Sequence, residues 1–144
     1  MSFALEFARR ALAFNYDTLP AEAVRWAKIG ILDTVGVTVV GSRDDSTRIV
    51  ETLIPPGTSG PSLLFGLDRR ASVFDAGLIN GTAAHALDLD DCNNTVCGHP
   101  SAPVLPGLFA LADEAGASGR DFLAAYVAGF EAECKFSQIG RAHV

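Results

Sequence analysis

The densest group of side chains able to transfer protons lies in residues 85–106, HALDLDDCNNTVCGHPSAPVLP. Its carboxylates are Asp88, Asp90 and Asp91, and His99 follows at the far end of a polar loop. Carboxylates and imidazoles act as general acids and bases, and histidine does so near neutral pH because its unperturbed pKa is about 6.5. The sequence therefore predicts a proton-transfer site in this loop.

Helical segments flank the loop and occupy most of the chain. Apolar residues recur with a period close to that of an α-helix, and serines precede several of these runs at the position of an N-cap. The pattern predicts an all-α fold. Helices are expected over residues 3–16, 20–41, 46–54, 72–87, 101–115 and from 118 onward, with a brief extended piece over 62–65. The predicted N-caps are Ser46, Ser72, Ser101 and Ser118.

Glycines and small residues predict how closely these helices pack. Gly36 lies inside the second helix, where we expect a neighbouring helix to approach closely, and Gly41 is expected to end that helix. The helix over 72–87 is rich in small residues, which favours burial. We therefore expect it to deliver His85 and Asp88 to an interior position.

Composition and charge exclude several classes of protein. The chain has 144 residues, of which 49% are hydrophobic and 19% charged, so part of its apolar surface is expected to meet another domain or subunit. A net charge of −6 argues against nucleic acid as a partner. No apolar run is long enough for a membrane span or a secretory signal, which favours the cytoplasm. Cys92, Cys97 and Cys134 are predicted to be free thiols.

Several stretches of the sequence resemble the N-terminal part of the MmgE/PrpD family. They are LDTVG at 32–36, NGTAAHALDLDD at 80–91, HPSAPVLP at 99–106 and GASGRD at 116–121, which leads to AYVAGFE at 125–131. The resemblance implies a helical domain that is accompanied in full-length members by a smaller α+β domain, usually in a homodimer that uses no cofactor. Because members are much longer, residues 1–137 are expected to be a partial N-terminal helical domain. Residues 138–144, QIGRAHV, resemble translated adapter sequence and are expected to be a non-native tail.

The family resemblance also implies an activity. Members include 2-methylcitrate dehydratases and cis-aconitate decarboxylases, so we expect a lyase that dehydrates a citrate-like polycarboxylate such as 2-methylcitrate, as in propionate catabolism. The alternatives are decarboxylation of cis-aconitate and isomerisation or epimerisation of a dicarboxylate. In a different class, the chain is an inactive fragment that serves only as a helical packing or dimerisation module. Expected partners are a small polycarboxylate and, at full length, a second copy of the chain.

By the same resemblance, His99 and Asp88 match positions that line the family's active site. We expect His99 to transfer protons and Asp88 to orient it or to bind substrate. Asp91, Cys92 and Ser101 are expected to bind substrate, with Cys92 standing where many members have threonine. If Ser101 caps its helix, free N–H groups beside His99 could hold a substrate carboxylate.

Other polar residues of the loop are given structural roles. Asp90 is expected to be structural, and His85 is expected to be a buried histidine with its hydrogen bonds satisfied. No metal is expected. A metal-binding alternative would use ligand types that the loop offers without a recognised spacing. Its ligands would be Asp88, Asp91, Cys92 and His99.

Overall fold

The computed structural model describes residues 2–55 and 58–141, and the all-α prediction is confirmed over that part of the chain. The helices are α1 (Phe3–Leu12), α2 (Ala21–Gly41), α3 (Asp45–Glu51), α4 (Val73–His85), α5 (Ser101–Ala115) and α6 (Gly119–Arg141). A 3-10 turn, Tyr16–Thr18, lies between α1 and α2. Two short strands, β1 (Ser62–Leu63) and β2 (Arg70–Ala71), pair antiparallel before α4.

Serine side chains begin two of the helices as predicted. The Ser72 hydroxyl accepts the N–H of Asp75 at 3.2 Å and donates to the Asp75 carboxylate at 2.7 Å, at the start of α4. Ser118 repeats the arrangement with Asp121 at the start of α6, with the same two distances. Each serine satisfies an N–H that the helix leaves unpaired, so the local sequence fixes where both helices begin.

Aspartates, and not the predicted serines, cap the other two of these helices. Asp44 caps α3 by accepting the N–H of Ser46 at 2.8 Å, so the prediction of Ser46 as the cap is wrong. Ser101 is the first residue of α5, and the carboxylate that accepts its N–H belongs to Asp91. A charged acceptor makes a stronger hydrogen bond than a hydroxyl does, which favours aspartate wherever one is within reach.

Three predicted helices end earlier than expected, and one of them, α3, ends at Glu51, three residues before the predicted end. α1 ends at Leu12 because Asn15 accepts the N–H of Asp17 at 3.0 Å and so starts a separate turn. α4 ends at His85, two residues before the predicted end.

Gly116 ends α5 in the left-handed conformation, with φ 61°, as helix-terminating glycines commonly do.

α4 is the central helix, and it packs against α2, α3 and α5. Its buried face contributes Ala76 and Ile79 to a core that Leu64 and Ala110 complete from β1–β2 and α5. A second core lies where α2, α5 and α6 meet. Its buried members are Ala27, Leu105 and Tyr126.

Close helix approach occurs at other glycines than predicted. A Cβ on Gly36 would meet no atom within 4 Å, so the expectation of close packing there is wrong. On Gly41 it would overlap the carbonyl oxygen of Ala83 in α4, and on Gly30 it would lie 2.6 Å from the Tyr126 hydroxyl. α2 therefore uses Gly41 and Gly30 to approach α4 and α6.

The described part of α6 continues through residues 138–141, so the boundary predicted at 137 does not coincide with the end of the helix. Residues 142–144 of the proposed tail lie outside the described residues. Over residues 2–55 and 58–141, none of the helices combines the length and the apolar character that a bilayer crossing requires.

Candidate functional site

The loop between α4 and α5 gathers four polar side chains, His85, Asp88, Asp90 and His99, here called the His–Asp cluster. The Asp90 side chain has no exposed surface and lies beside both imidazoles. Nδ1 of His85 is 3.0 and 3.1 Å from its two carboxylate oxygens. Nδ1 of His99 is 3.4 Å from one of them without hydrogen-bond geometry. The buried carboxylate thus organises the cluster.

The two predicted catalytic residues, Asp88 and His99, lie next to each other. Nε2 of His99 is 3.5 Å from Oδ1 of Asp88, whose side chain is 80% exposed. Asp88 has φ 55°, a left-handed conformation that aspartate tolerates better than most residues. A turn just after α4, closed by a hydrogen bond from the Asp88 N–H to the His85 carbonyl at 3.2 Å, holds it there.

The expected interior position of His85 and Asp88 is wrong. The buried face of α4 carries Ala83 and Ala84, whereas His85 ends the helix with a side chain that is 53% exposed. The buried polar residue of the loop is Asp90. His85 is therefore a surface histidine that reaches inward through one ring nitrogen.

A cavity of 640 Å³ opens beside the cluster, between α4 and α5. Both His85 and His99 line it, together with small residues that leave it wide. Gly77 is one of these small residues. A Cβ added to it would lie 3.8 Å from the Cα of Gly107, in van der Waals contact, so a side chain there would fill part of the space. The volume is typical of small-molecule sites.

Asp91 faces another part of the molecule and begins what we call the cap network, Asp91, Ser101 and Tyr126. Its carboxylate accepts the Ser101 N–H at 3.0 Å and the Ser101 hydroxyl at 2.6 Å. The same hydroxyl lies 2.5 Å from the Tyr126 hydroxyl and is fully buried. Since serine has one hydroxyl proton and gives it to Asp91, Tyr126 is the donor in the second bond.

The cap network corrects two expectations about the start of α5. Ser101 does not cap the helix, because its own N–H is the group that is capped. The N–H expected to be available to a substrate carboxylate beside His99 is already bonded to Asp91. A carboxylate does bind at this helix start, as the helix dipole favours, but it is the protein's own.

Two ionisable groups near Asp91 have raised pKa values. Burial raises the pKa of the Tyr126 phenol above its ordinary value, so the phenol stays protonated at neutral pH. Burial, and then the negative charge of Asp91, raise the pKa of the Glu133 carboxyl. One Glu133 oxygen is buried with no hydrogen-bond partner in the described residues. This region is therefore unfavourable for further negative charge.

The cap network borders a second cavity, of 530 Å³, between α2 and α6. Trp26 and Phe130 contribute apolar surface there, and the carboxylates of Asp33, Asp91 and Glu131 contribute negative charge. An anion with several carboxylates would be repelled by such a lining. Cys92 lines this cavity too, and not the one that contains His99.

All three cysteines are free thiols, as predicted, with Cys92 and Cys97 exposed and Cys134 partly buried. Burial, followed by the charges of Glu131 and Glu133, raises the pKa of the Cys134 thiol, which keeps that thiol protonated. The thiolate is the reactive form, so Cys134 is a poor nucleophile.

The cluster could offer a cation four ligand atoms, one from each residue, that lie within 4.8 Å of one another. This group contains neither Asp91 nor Cys92, so the predicted metal-binding set is not brought together. Both oxygens of Asp90 contact Nδ1 of His85, so the described arrangement of this pair is a hydrogen-bonded imidazole and carboxylate. The expectation that the site holds no metal stays a prediction.

Comparison with known proteins identifies the fold's family. A sequence model of the MmgE/PrpD N-terminal domain matches residues 5–143. The chain belongs to the MmgE/PrpD family. The matched span includes most of residues 138–144, whose assignment as a foreign tail stays a prediction.

Curated relatives of this MmgE/PrpD chain are named as decarboxylases. The cis-aconitate decarboxylase-like protein oryM of Aspergillus oryzae is 31% identical over 124 residues, covering 78% of this chain and 25% of the relative. The cis-aconitate decarboxylase of Aspergillus terreus is 29% identical over 121 residues, covering 80% and 25%. That of Homo sapiens is 31% identical over 133 residues, covering 88% and 27%. The chain thus spans about a quarter of the length of these relatives.

The structure divides the predicted site residues of this MmgE/PrpD domain into two groups. Asp88 and His99 come together, while Asp91, Cys92 and Ser101 lie at the other cavity or in the buried cap network. Their roles in substrate binding stay predictions. Sequence reasoning gave His85 and Asp90 no part in the site. The available signal was that both lie within the same family-like stretch as Asp88.

Proposed function

We propose that this MmgE/PrpD chain is part of a lyase that acts on a citrate-like polycarboxylate and needs no cofactor. The observation that carries the proposal is Nε2 of His99 at 3.5 Å from the Asp88 carboxylate, beside a cavity that His99 lines. The names of the relatives support the same class of substrate.

The chemistry of both candidate reactions fits a histidine. In a decarboxylation, a C–C bond breaks, CO₂ leaves, and the electron pair that remains on the substrate takes up one proton. In a dehydration, a base takes a C–H proton and the hydroxyl leaves with another proton as water. An imidazole gives or takes a proton at neutral pH, so His99 suits either reaction. Because Asp88 is largely exposed, it can orient His99 and then yield Nε2 to substrate.

The position of the substrate follows from charge. The cavity between α2 and α6 has three carboxylates, so we place the substrate in the cavity of the His–Asp cluster. Within the described residues, no lysine or arginine lines that cavity. We propose that cations for the substrate carboxylates come from sequence that the longer relatives have beyond the matched quarter.

Decarboxylation of cis-aconitate is the first reaction to test because the relatives at 29–31% identity have that name. The complete reading frame that contains this chain is incubated with cis-aconitate, 2-methylcitrate and related dicarboxylates. Proton NMR then follows loss of CO₂, loss of water, isomerisation or epimerisation. Turnover of one of them supports the lyase, and no turnover on any of them would defeat it.

His99→Ala provides the residue-level test of the same assay. We expect kcat/KM to fall by about 10²- to 10⁴-fold, the usual contribution of a positioned general acid or base. Asp68→Asn is the matched control, since Asp68 is an exposed carboxylate between β1 and β2. A rate for His99→Ala equal to that of the control would contradict the role of His99.

A function of another class, a helical packing or dimerisation module, has one observation in its favour. Large apolar side chains are exposed on two helices, with Leu32 at 75% and Phe74 at 90%. Such surface favours association with another domain or a second copy. Light scattering of the 144-residue chain tests this function. A monomer with catalytic activity would contradict it.

A further inference from the structure

We propose that His85 is a second proton-transfer residue of this site and that Asp90 is the buried positioning residue that fixes its ring tautomer. The proposal rests on the proposed lyase function and adds a residue pair to it. It depends on three features of the structure, which are the burial of Asp90, the geometry of its contact with His85, and the cavity that both histidines share.

The burial of Asp90 calls for a compensating donor. Its side chain is fully buried, and an ionised carboxylate is unstable in such a place unless hydrogen bonds or opposite charges accompany it. The ion-pair partners found for it within the described chain are the imidazoles of His85 and His99. Of these, only His85 has hydrogen-bond geometry, at 3.0 and 3.1 Å.

The geometry of this contact decides which ring nitrogen of His85 carries the proton. An ionised carboxylate only accepts hydrogen bonds, so Nδ1 of His85 is the donor. In the neutral ring Nε2 then has a free lone pair and can take a proton. The side chain is 53% exposed and lines the 640 Å³ cavity, so substrate can reach it.

His99 stands beside His85 with different partners. The two ring centroids are 4.7 Å apart at an interplanar angle of 63°. Nε2 of His99 faces Asp88, and its Nδ1 is not hydrogen-bonded to Asp90. The cavity is thus lined by one imidazole held by a buried carboxylate and another beside an exposed one. A dehydration removes one proton from the substrate and supplies another, and two such groups can divide these steps between them.

The step that His85 performs is a proton transfer alone. In the dehydration, Nε2 of His85 takes the C–H proton of the substrate, and the electron pair of that bond forms the new double bond as the hydroxyl leaves. The Asp90 carboxylate then faces the imidazolium and stabilises its charge, as an aspartate does behind a catalytic histidine. The proton passes on to solvent or returns to product, which restores the neutral ring.

Ring-nitrogen NMR of the ¹⁵N-labelled chain tests the role of Asp90 without any assay of activity. At a pH where the rings are neutral, we expect protonated Nδ1 and unprotonated Nε2 in His85, the opposite of what free histidine prefers. Asp90→Ala is expected to abolish this preference, while Asp90→Asn keeps part of it because its carbonyl still accepts. Asp88→Ala is the matched control and leaves the His85 tautomer unchanged.

The wild-type spectrum alone can overturn the pairing. Protonated Nε2 in His85 of the wild-type chain would do so even if Asp90→Ala failed to fold. A His85 tautomer unchanged in a folded Asp90→Ala variant would also do so.

Turnover by the complete protein tests the role of His85. We expect His85→Gln to lower kcat by about 10²-fold or more with little change in KM, and Asp90→Asn to lower it less. If wild-type protein is active and His85→Gln equals it, the role of His85 is overturned while the lyase function stands. If wild-type protein turns over no polycarboxylate, the lyase function is contradicted. The His85 tautomer measured by NMR still tests the pairing with Asp90.

Discussion

Asp90 and Asp91 are neighbours in sequence, yet they belong to two different regions. Asp90 lies in the His–Asp cluster beside imidazoles that can exchange protons with a ligand. Asp91 lies in the cap network against a backbone N–H and a hydroxyl, which do not ionise at neutral pH. The same side chain therefore supports chemistry in one place and helix stability in the other, and its partners decide which.

Apart from the buried Asp90, the residues of the cluster are also more exposed than Ser101 and Tyr126 of the cap network. In the cluster, His85 and Asp88 have side chains that are 53% and 80% exposed, whereas Ser101 and Tyr126 of the cap network are 0% and 3% exposed. We therefore expect substitutions of the exposed cluster residues to change reaction rate and those in the cap network to change stability.

The largest loss of stability is expected at Gly41, one of the two glycines where α2 closely approaches α4 and α6. In Gly41→Ala the new Cβ would overlap the Ala83 backbone, which cannot move aside, so we expect a loss of about 3 kcal/mol. In Gly30→Ala it would meet the end of the Tyr126 side chain, and the expected loss is about 1 kcal/mol. Urea unfolding measures both.

Gly36→Ala is the control for these two substitutions. Its Cβ meets no atom within 4 Å, so we expect a gain of about 1 kcal/mol from better helix propensity. Equal losses at Gly41 and Gly36 would contradict the close contact between α2 and α4.

An effect between those of Gly41→Ala and Gly30→Ala is expected from the cap itself. Asp91→Ala leaves the N–H and hydroxyl of Ser101 without an acceptor, and we expect a loss of about 2 kcal/mol in the free energy of unfolding. Asp91→Asn keeps an acceptor oxygen and should lose less. In the cluster, Asp88→Ala is expected to change stability by about 0.5 kcal/mol at most, because its side chain is exposed. If Asp88→Ala were the more destabilising variant, the division between the regions would be wrong.

The smallest effect on stability is expected from Glu133, which lies near the cap network, and this effect depends on pH. Burial, then Asp91, raise the pKa of Glu133, so its contribution to stability is fully present below the ordinary value of 4.5. That contribution is lost as the pH rises through the higher folded-state value. Glu133→Gln should therefore be more stable than wild type at pH 7, by about 0.5 kcal/mol or less after allowance for solvent screening.

Urea midpoints from pH 7 to pH 4 check this prediction. The advantage of Glu133→Gln should shrink as the pH falls, and it should also be smaller in the Asp91→Ala background. An advantage that grows at low pH would contradict the direction of the pKa change.

The helices and two of their caps could be predicted because their causes are local. Ser72 and Ser118 bond to a residue three positions ahead, which the spacing alone indicates. The cap from Asp91 to Ser101 spans ten residues and depends on how the intervening loop closes, so periodicity carries no sign of it.

The same reason explains what was missed at the site. Asp88 and His99 were predicted from sequence stretches that resemble the family. The pairing of His85 with Asp90 could not be predicted without knowing the residue at which α4 ends. A helix extended to residue 87, as predicted, would have placed Asp90 differently relative to His85. Close approach at Gly41 and not at Gly36 likewise depends on the course of α4, which the α2 sequence does not contain.

The bond between Asp91 and Ser101 also closes residues 92–100 into a loop with a fixed base. Inside it, Asn93 donates its N–H to the Gly98 carbonyl at 3.0 Å and so closes a smaller loop. The Ser137 hydroxyl donates to the Val96 carbonyl at 3.0 Å and so ties the tip of this loop to α6. The loop is therefore anchored at both its base and its tip, which keeps Asp90 and His99 at a fixed separation.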